Sequence, residues 1–317
     1  MRVAVAGATG VLGRDALPAL AAAGHEVRGF SRSATGGDET LIAMDVLDRE
    51  AVVSFAAEWR PEVIVHFATA IPAQLKPWGV ERQFEPTSRL RTEGTRNLIA
   101  AAEAAGGARL IAQSVAFAVE PGPGLADESV PIASRTISAL GRTGDAIAEL
   151  EQLTLDADGT VLRFGQLVGP GTIFAADGSM GQPASRGMLP VVHSGGREST
   201  FSFTHPRDAA SALVAALAHP GATGVFNVVD DDPAPGSVWV PELSRALGAK
   251  RAPRRAPAWL VKPLLGSYGV RFMTELRGSS NDRAKAELGW VPTHPWRDAF
   301  AVSACERGRG PSPTNPM

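Results

Sequence analysis

Three glycines close to the amino terminus, Gly7, Gly10 and Gly13, have the spacing and the surroundings of a phosphate-binding turn. The apolar run RVAVAGA precedes them and the helix-forming run VLGRDALPALAAAG follows. In such a turn the first glycine permits the sharp bend, the second lets a pyrophosphate approach the backbone, and the third lets the helix pack closely on the strand. The pattern therefore predicts a dinucleotide site at 7–13, the alternative being a tight strand-to-helix turn that binds no ligand.

The end of the predicted second strand, EVRGFSR, indicates which dinucleotide would bind. A site specific for NAD carries an Asp or Glu there, whereas this chain has Ser31, Arg32 and Ser33. A guanidinium can pair bidentately with a 2′-phosphate, and the two hydroxyls can donate to the same group. We therefore predict NADP(H) as the cofactor, with a solvated surface arginine as the alternative. Asp45 and Val46, which follow the predicted third strand, would lie against the adenine.

Strands and helices that alternate from the amino terminus to about residue 168 would hold these groups in place. Alternation at this spacing is typical of an α/β fold, the Rossmann-type doubly wound parallel sheet. We expect residues 1–171 to form the nucleotide-binding domain, with 201–230 returning to it. Residues 172–200 and 231–305 would form a smaller, mostly helical substrate-binding lobe. The Pro- and Gly-rich tail 306–317 is expected to be disordered.

The composition excludes several classes of protein. A net charge of −2 on 317 residues gives no basic surface for nucleic acid or an anionic membrane. A single cysteine permits no internal disulfide, and no apolar run approaches the roughly 20 residues that span a bilayer. No cleavable leader and no metal site is predicted. We therefore expect a cytoplasmic protein with a small-molecule substrate.

Seven motifs occur in a fixed order along the chain. They are the glycine spacing at 7–13, DVLD at 45–48, HFATA at 66–70, GTRNLIAAAE at 94–103, LRFGQLVGPG at 162–171, HPRDAASALVAAL at 205–217 and NDRAKAELGWVP at 281–292. In this order the chain resembles the extended short-chain dehydrogenases/reductases, the group that includes NAD-dependent epimerases and dehydratases. The resemblance covers residues 1 to about 300 and implies a nicotinamide cofactor.

The resemblance also implies which residues surround the cofactor. In such proteins the loops that correspond to HFATA and FGQLV border the nicotinamide. The cofactor contacts that it implies, beyond those at the adenosine end, are Gly7, Thr9, Gly10, Val11, Leu12, Gly13, Phe67, Ala68, Thr69, Gln113, Gly165, Gln166 and Leu167.

The acid/base residues of that family are largely missing from this chain. The family places a Ser or Thr after the fifth strand and a Tyr-x-x-x-Lys pair at the start of the next helix. Ser114 fills the first position, but Gly141 and Asp145 stand at the tyrosine and lysine positions. The one tyrosine of the chain is Tyr268, and no lysine occurs between residues 76 and 250. The family usually has an Asn before the Gly-Thr of the motif at 94–103, and here Arg91 replaces it.

This departure affects some reactions more than others. A positioned acid or base contributes about 10²–10⁴-fold, and oxidation, epimerisation and dehydration all begin by removing a hydroxyl proton. Ketone reduction needs only a hydrogen-bond donor for the emerging alkoxide, because correct placement of the hydride donor supplies much of the acceleration. The sequence therefore predicts an NADPH-dependent ketoreductase, with the proton coming from Ser114, water or a hydroxyl of the substrate.

The substrate is predicted from aromatic residues in the expected second lobe. Trp239, Trp259 and the run WLVKPLLG would suit an aromatic or polyketide-type ketone, as in the tailoring of an antibiotic or other natural product. Thr143, His193 and Trp239 are the predicted substrate-lining residues. Two other functions stay open, a non-catalytic NADP(H)-binding redox sensor and a nucleotide-sugar epimerase or dehydratase. The chain is expected to be a monomer or a homodimer.

Overall fold

The computed structural model describes residues 1–34, 40–72, 74, 76, 79–133 and 141–305. The tail at 306–317, which the sequence predicts to be disordered, lies outside the described residues. The strands are β1 (Arg2–Ala6), β2 (Glu26–Ser31), β3 (Leu41–Ala43), β4 (Val63–His66), β5 (Arg109–Val115), β6 (Thr160–Phe164), β7 (Gln166–Leu167), β8 (Val191–His193), β9 (Thr200–Phe201), β10 (Phe203–Thr204), β11 (Gly224–Val228), β12 (Ala234–Pro235) and β13 (Arg255–Pro257).

The helices of the described residues complete the layers. They are α1 (Val11–Ala22), α2 (Arg49–Trp59), α3 (Val80–Arg89), α4 (Thr95–Ala104), α5 (Arg142–Asp156), α6 (Gly181–Ser185), α7 (Pro206–Ala218), α8 (Gly236–Ala246), α9 (Ala258–Thr274), α10 (Asp282–Leu288) and α11 (Trp296–Cys305). A π-helical turn at Leu90–Gly94 joins α3 to α4. None of the helices in the described part of the chain has the length and apolarity needed to cross a bilayer.

Seven strands form one parallel sheet in the order β11-β6-β5-β4-β1-β2-β3. Every residue of β4 and β6 is buried, because helices cover both faces of the sheet. Helices α1 and α7 pack on one face, and α2 and α4 pack on the other. The predicted doubly wound parallel sheet is therefore confirmed.

A second hydrophobic core lies among residues 168–300 and is centred on Trp239. The Trp239 ring is 0% exposed and stacks on Phe201 at 4.8 Å, with Phe174 edge-on at 5.6 Å. Trp239 is thus a core residue, and its predicted place on a substrate wall is wrong. Trp259 has the opposite environment, because 74% of its surface is exposed on the first turn of α9.

Two elements differ from the sequence prediction for identifiable reasons. The largely apolar run TVLRFGQLV has the pattern of one continuous strand, but it divides at Gly165 into β6 and β7, and β7 pairs with β10 outside the main sheet. The Ser202 backbone passes so close that a Cβ on Gly165 would lie 2.8 Å from the Ser202 carbonyl carbon. Helix α3 was not predicted, because its sequence VERQFEPTSR is polar and contains Pro86.

Candidate functional site

The glycine turn between β1 and α1 has backbone that only glycine can supply. Gly7 adopts φ +85°, and a Cβ there would lie 2.6 Å from the carbonyl carbon of Phe67. A Cβ on Gly13 would lie 2.5 Å from the Gly7 carbonyl oxygen. Gly10 is the N-cap of α1 and makes no side-chain capping bond. The first N–H groups of α1 therefore face an open cradle of the kind that accepts phosphate.

A cluster of three hydroxyls, here called the hydroxyl cluster, joins this turn to the end of β2. Thr9 Oγ1 lies 2.8 Å from Ser31 Oγ and 3.1 Å from Ser33 Oγ, and the two serine hydroxyls are 3.1 Å apart. Arg32, between the two serines, is exposed. Three hydroxyls and a guanidinium are donors, so this end of the cradle has the chemistry to bind a phosphate.

The segment after β3, where the adenine was predicted to lie, is held by two hydrogen bonds. The backbone N–H of Leu47 donates to Asp45 Oδ1 at 3.0 Å, and Asn97 Nδ2 donates to the Val46 carbonyl oxygen at 3.0 Å. Val46 is buried against the π-helical turn, since a Cβ on Gly94 would lie 2.9 Å from its Cγ1. This segment is therefore fixed in place, and its contact with adenine stays a prediction.

The end of β4 forms the wall where the nicotinamide was predicted. Phe67 and Ala68 are buried and Thr69 is half-buried. His66 is fully buried, its Nε2 donates to the Leu90 carbonyl at 3.2 Å, and its Nδ1 has no partner among the described residues. Burial lowers the pKa of His66 to about 4, so the imidazole is neutral near pH 7.

Strand β7 and the end of β5 carry the other residues predicted to border the cofactor. The Gly165 N–H donates to Thr204 Oγ1 at 2.8 Å, which fixes the start of β7. Gln166 is buried, and within the described part of the chain its Nε2 has no hydrogen-bond partner. Leu167 and Gln113 are half-buried. An unpaired buried amide is a group that a ligand's own amide or carbonyl can satisfy.

Ser114 belongs to a buried network with Glu151 and Arg163. The Ser114 hydroxyl donates to Glu151 Oε1 at 2.5 Å, and Arg163 pairs with both carboxylate oxygens through Nε at 2.8 Å and Nη2 at 2.7 Å. Ser114 is 3% exposed, and its single hydrogen is used on the carboxylate. Its predicted role as a proton donor is untested, but the structure assigns that hydrogen a different acceptor. The network ties β5 and β6 to α5.

The family's tyrosine position has a backbone unsuited to any side chain. Gly141 has φ 54° and ψ −134°, a left-handed conformation that favours glycine. A Cβ there would overlap the carboxylate of Glu81, whose other oxygen lies 3.5 Å from Arg142 Nε. The missing tyrosine is therefore built into the local fold as well as into the sequence. Asp145, at the lysine position, is half-buried on the first turn of α5.

The remaining predicted substrate-lining residues lie on two different elements. Thr143 is buried on the first turn of α5. His193 is the last residue of β8, where it lies opposite Pro257 of β13, and it is half-buried. Its Nδ1 has no partner in the described residues. Whether these two side chains contact a substrate stays a prediction.

Two polar residues that the sequence predictions did not assign to the site are the buried Arg91 and the half-buried Tyr268. Arg91 is on the π-helical turn and Tyr268 is on α9, and the two influence each other electrostatically. Burial lowers the pKa of Arg91 to about 10, which leaves it charged near neutral pH. Burial raises the pKa of Tyr268, so its phenol is neutral. The sequence contained two signals that could have pointed to this pair. Arg91 stands where the family usually has an Asn, and Tyr268 is the single tyrosine of the chain.

The comparisons with known proteins agree with this architecture. A sequence profile of the NAD dependent epimerase/dehydratase family matches residues 3–229. The chain is 46% identical over 307 residues to a Streptomyces sp. protein described as 3-diazoavenalumate denitrifying reductase, with 95% of this chain and 99% of that protein covered.

Solved structures share the fold at lower identity. The UDP-glucose 4-epimerase of Thermus thermophilus in complex with NAD has a TM-score of 0.74 at 23% identity, covering 98% of this chain and 100% of that chain. A human epimerase family protein with NADPH has a TM-score of 0.68 at 22% identity, covering 96% and 99%. The matched profile includes the glycine turn, the hydroxyl cluster and all seven strands of the main sheet. The chain belongs to the NAD dependent epimerase/dehydratase family.

Proposed function

We propose that the protein is an NADPH-dependent reductase that transfers hydride to an aromatic substrate, and that its reaction is the reductive loss of a diazo group. The observation that carries this proposal is the tyrosine position of the family, where Gly141 has a backbone that no tyrosine readily adopts. The relative at 46% identity, described as a denitrifying reductase, supports an oxidoreductase of this type.

The cofactor half of the proposal depends on the glycine turn and the hydroxyl cluster. Gly7 and Gly10 leave the amino terminus of α1 open to a pyrophosphate. The hydroxyls of Thr9, Ser31 and Ser33, with the guanidinium of Arg32 beside them, would hold a 2′-phosphate. When NADPH is bound it supplies the hydride. A nicotinamide cofactor is also supported by the family and by the two structural neighbours that hold NAD and NADPH.

The chemistry of diazo loss explains why an acid is dispensable. Hydride adds to the ring carbon that carries the diazonium group, so that a C–H bond forms. The C–N bond then breaks, and its electron pair leaves with neutral N₂. No alkoxide forms, so the reaction needs no proton from the protein. The missing Tyr and Lys, which would cost a ketone reduction about 10²–10⁴-fold, cost this reaction nothing.

Reduction of an aromatic or polyketide-type ketone is the second candidate, and Tyr268 favours it. Its ring lies in a cluster with Val115, Phe117 and Ala118 just after β5, and its phenol keeps its proton because burial raises its pKa. That phenol is the one hydroxyl of its kind in the chain, and it could protonate an alkoxide. A ketone reductase would therefore lose turnover in Tyr268→Phe, whereas hydride transfer to a diazonium carbon would not depend on the phenolic proton.

Isotope transfer distinguishes these reactions. We expect an ortho-diazophenol, incubated with the protein and NADPH deuterated at the nicotinamide C4, to release N₂ and to carry deuterium on the ring carbon. Gly7→Val is the control for the reaction of NADPH with diazonium salts in solution, because its side chain would collide with Phe67. Oxidation of NADPH by aryl ketones alone would support the second candidate. Tight NADPH binding without turnover on either substrate would contradict both and favour a redox sensor.

Cofactor preference has its own test in Arg32→Ala. Because this change removes a charged donor from the proposed 2′-phosphate site, we expect NADPH to bind about tenfold more weakly or worse. The affinity for NADH, which lacks that phosphate, should stay unchanged and is the internal control. Fluorescence titration of the two reduced cofactors measures both. An equal loss for NADH and NADPH would contradict the preference for NADP(H).

A further inference from the structure

Arg91 is a buried cation with an unused hydrogen-bond donor. The residue is 4% exposed, and its Nη1 has no hydrogen-bond partner among the described residues. Glu151 is a nearby carboxylate, but it already accepts from Arg163 and Ser114. Within the described residues, no carboxylate forms an ion pair with Arg91. A buried guanidinium without a direct partner is costly, and an anionic ligand would remove that cost.

Tyr268 packs against the helix that precedes Arg91 in the chain. Its ring lies 6.4 Å from that of Phe84 on α3. Phe84 and Arg91 are seven residues apart in continuous helical backbone, so they lie two turns apart on the same helix face. The charge of Arg91 acts on the Tyr268 phenol, which agrees with that placement. The contact between Phe84 and Tyr268 therefore places Tyr268 on the helix face that also carries Arg91.

The surroundings of this pair are aromatic. Tyr268 stacks on Phe272 at 6.0 Å, and Phe117 meets Phe272 edge-on at 6.1 Å. Phe117 lies in the short helical turn after β5, at the carboxyl edge of the parallel sheet where ligands of such folds bind. Leu90, next to Arg91, accepts a hydrogen bond from His66 at the predicted nicotinamide wall. A flat ring held here would therefore lie beside the hydride position.

From this arrangement we propose that Arg91 and Tyr268 bind an oxyanion of a planar aromatic substrate, a phenolate or an aryl-conjugated carboxylate. Arg91 supplies the charge-assisted hydrogen bond and Tyr268 donates its phenolic hydrogen to the same oxygen. The inference rests on the proposed function, because it specifies the substrate class of that site. Both groups are donors, so they discriminate an oxyanion from the uncharged amide or alcohol of the same shape.

Binding to the NADP⁺-loaded protein tests this proposal without any turnover. The probes are cinnamate for a carboxylate, 4-nitrophenolate for a phenolate and uncharged cinnamamide, each titrated by calorimetry. We expect Arg91→Gln to weaken the binding of the oxyanions by about tenfold to a hundredfold and to leave the binding of cinnamamide unchanged. Tyr268→Phe should weaken the binding of the oxyanions by a smaller factor. Arg89→Gln is the matched control, since Arg89 lies two residues before Arg91 and pairs with Glu93 in solvent.

The stability of Arg91→Met separates a ligand site from a structural arginine. If the guanidinium serves to bind a ligand and does not stabilise the fold, replacing it by an apolar side chain should leave the Tm of the protein unchanged or raise it. If Arg91→Gln weakens the binding of cinnamate alone, or of 4-nitrophenolate alone, the result would support the proposal and identify which kind of oxyanion the site prefers. Equal binding of both oxyanions by wild type and Arg91→Gln, or no binding of either by wild type, would overturn it. Binding of either oxyanion, together with failure of NADPH to reduce an ortho-diazophenol or an aryl ketone, would contradict only the proposed function.

Discussion

Two buried arginines near the candidate site have almost the same exposure and opposite surroundings. Arg163, 3% exposed, donates to both oxygens of Glu151 and to the Val130 carbonyl. Arg91, 4% exposed, has an Nη1 with no partner in the described residues. Burial alone therefore does not reveal what an arginine does. A satisfied guanidinium holds β6 to α5, whereas an unsatisfied one is available to a ligand.

The largest effect should come from breaking the satisfied pair. Arg163→Met leaves the Glu151 carboxylate buried and without its cation, so we expect a loss of about 3–5 kcal/mol in the free energy of unfolding. Urea denaturation measures it. Arg91→Met, at equal burial, should cost nothing or stabilise the protein. Similar losses in the two variants would show that the arginines have the same role.

The imidazole beside Arg91 gives a pH test of the same region. The pKa of His66 is lowered by burial to about 4, below the 6.5 of an unfolded histidine. Because the folded state resists protonation, the stability from this group is complete above pH 6.5 and is lost as the pH falls from about 6.5 towards 4. The maximum difference is about 3 kcal/mol. His66→Gln should reduce the slope of stability against pH across that window, and an unchanged slope would refute the assignment.

Ser114→Ala should cost less stability than Arg163→Met, and it tests the satisfied arginine through the other partner of Glu151. Removing a hydrogen bond to the Glu151 carboxylate should cost about 1–3 kcal/mol of stability. If the hydroxyl only supports the network, kcat per folded molecule will stay near that of wild type. A large fall in kcat with unchanged stability would instead return Ser114 to the role of proton donor that the sequence predicts.

The parts of the molecule that the sequence predicts well are those encoded by neighbouring residues. The glycine turn at 7–13 and the alternation of the main sheet depend on contacts within one βα unit, and the structure has both. The serines at the end of β2 also lie where the strand pattern puts them. Local spacing carries this information because the chain has no freedom to place such residues elsewhere.

The reaction end of the site could not be predicted in the same way. Glu151 and Arg163 form a network with Ser114 from a helix and a strand that follow it in the chain, and Tyr268 packs on Phe84 from a helix much further along the chain. Such pairings depend on how distant elements pack, which residue spacing does not encode. Trp239 shows the converse error, since an aromatic residue fills a core as readily as it lines a pocket.

The backbone at Gly141 has a consequence for anyone who redesigns this chain. Its positive φ and the nearby Glu81 carboxylate mean that a tyrosine placed there would strain the backbone and displace the Glu81 side chain. The backbone at 141 would have to change together with the side chain before such a variant could position a phenol. An engineer who wants alcohol products would do better to start from Tyr268, which α9 already carries.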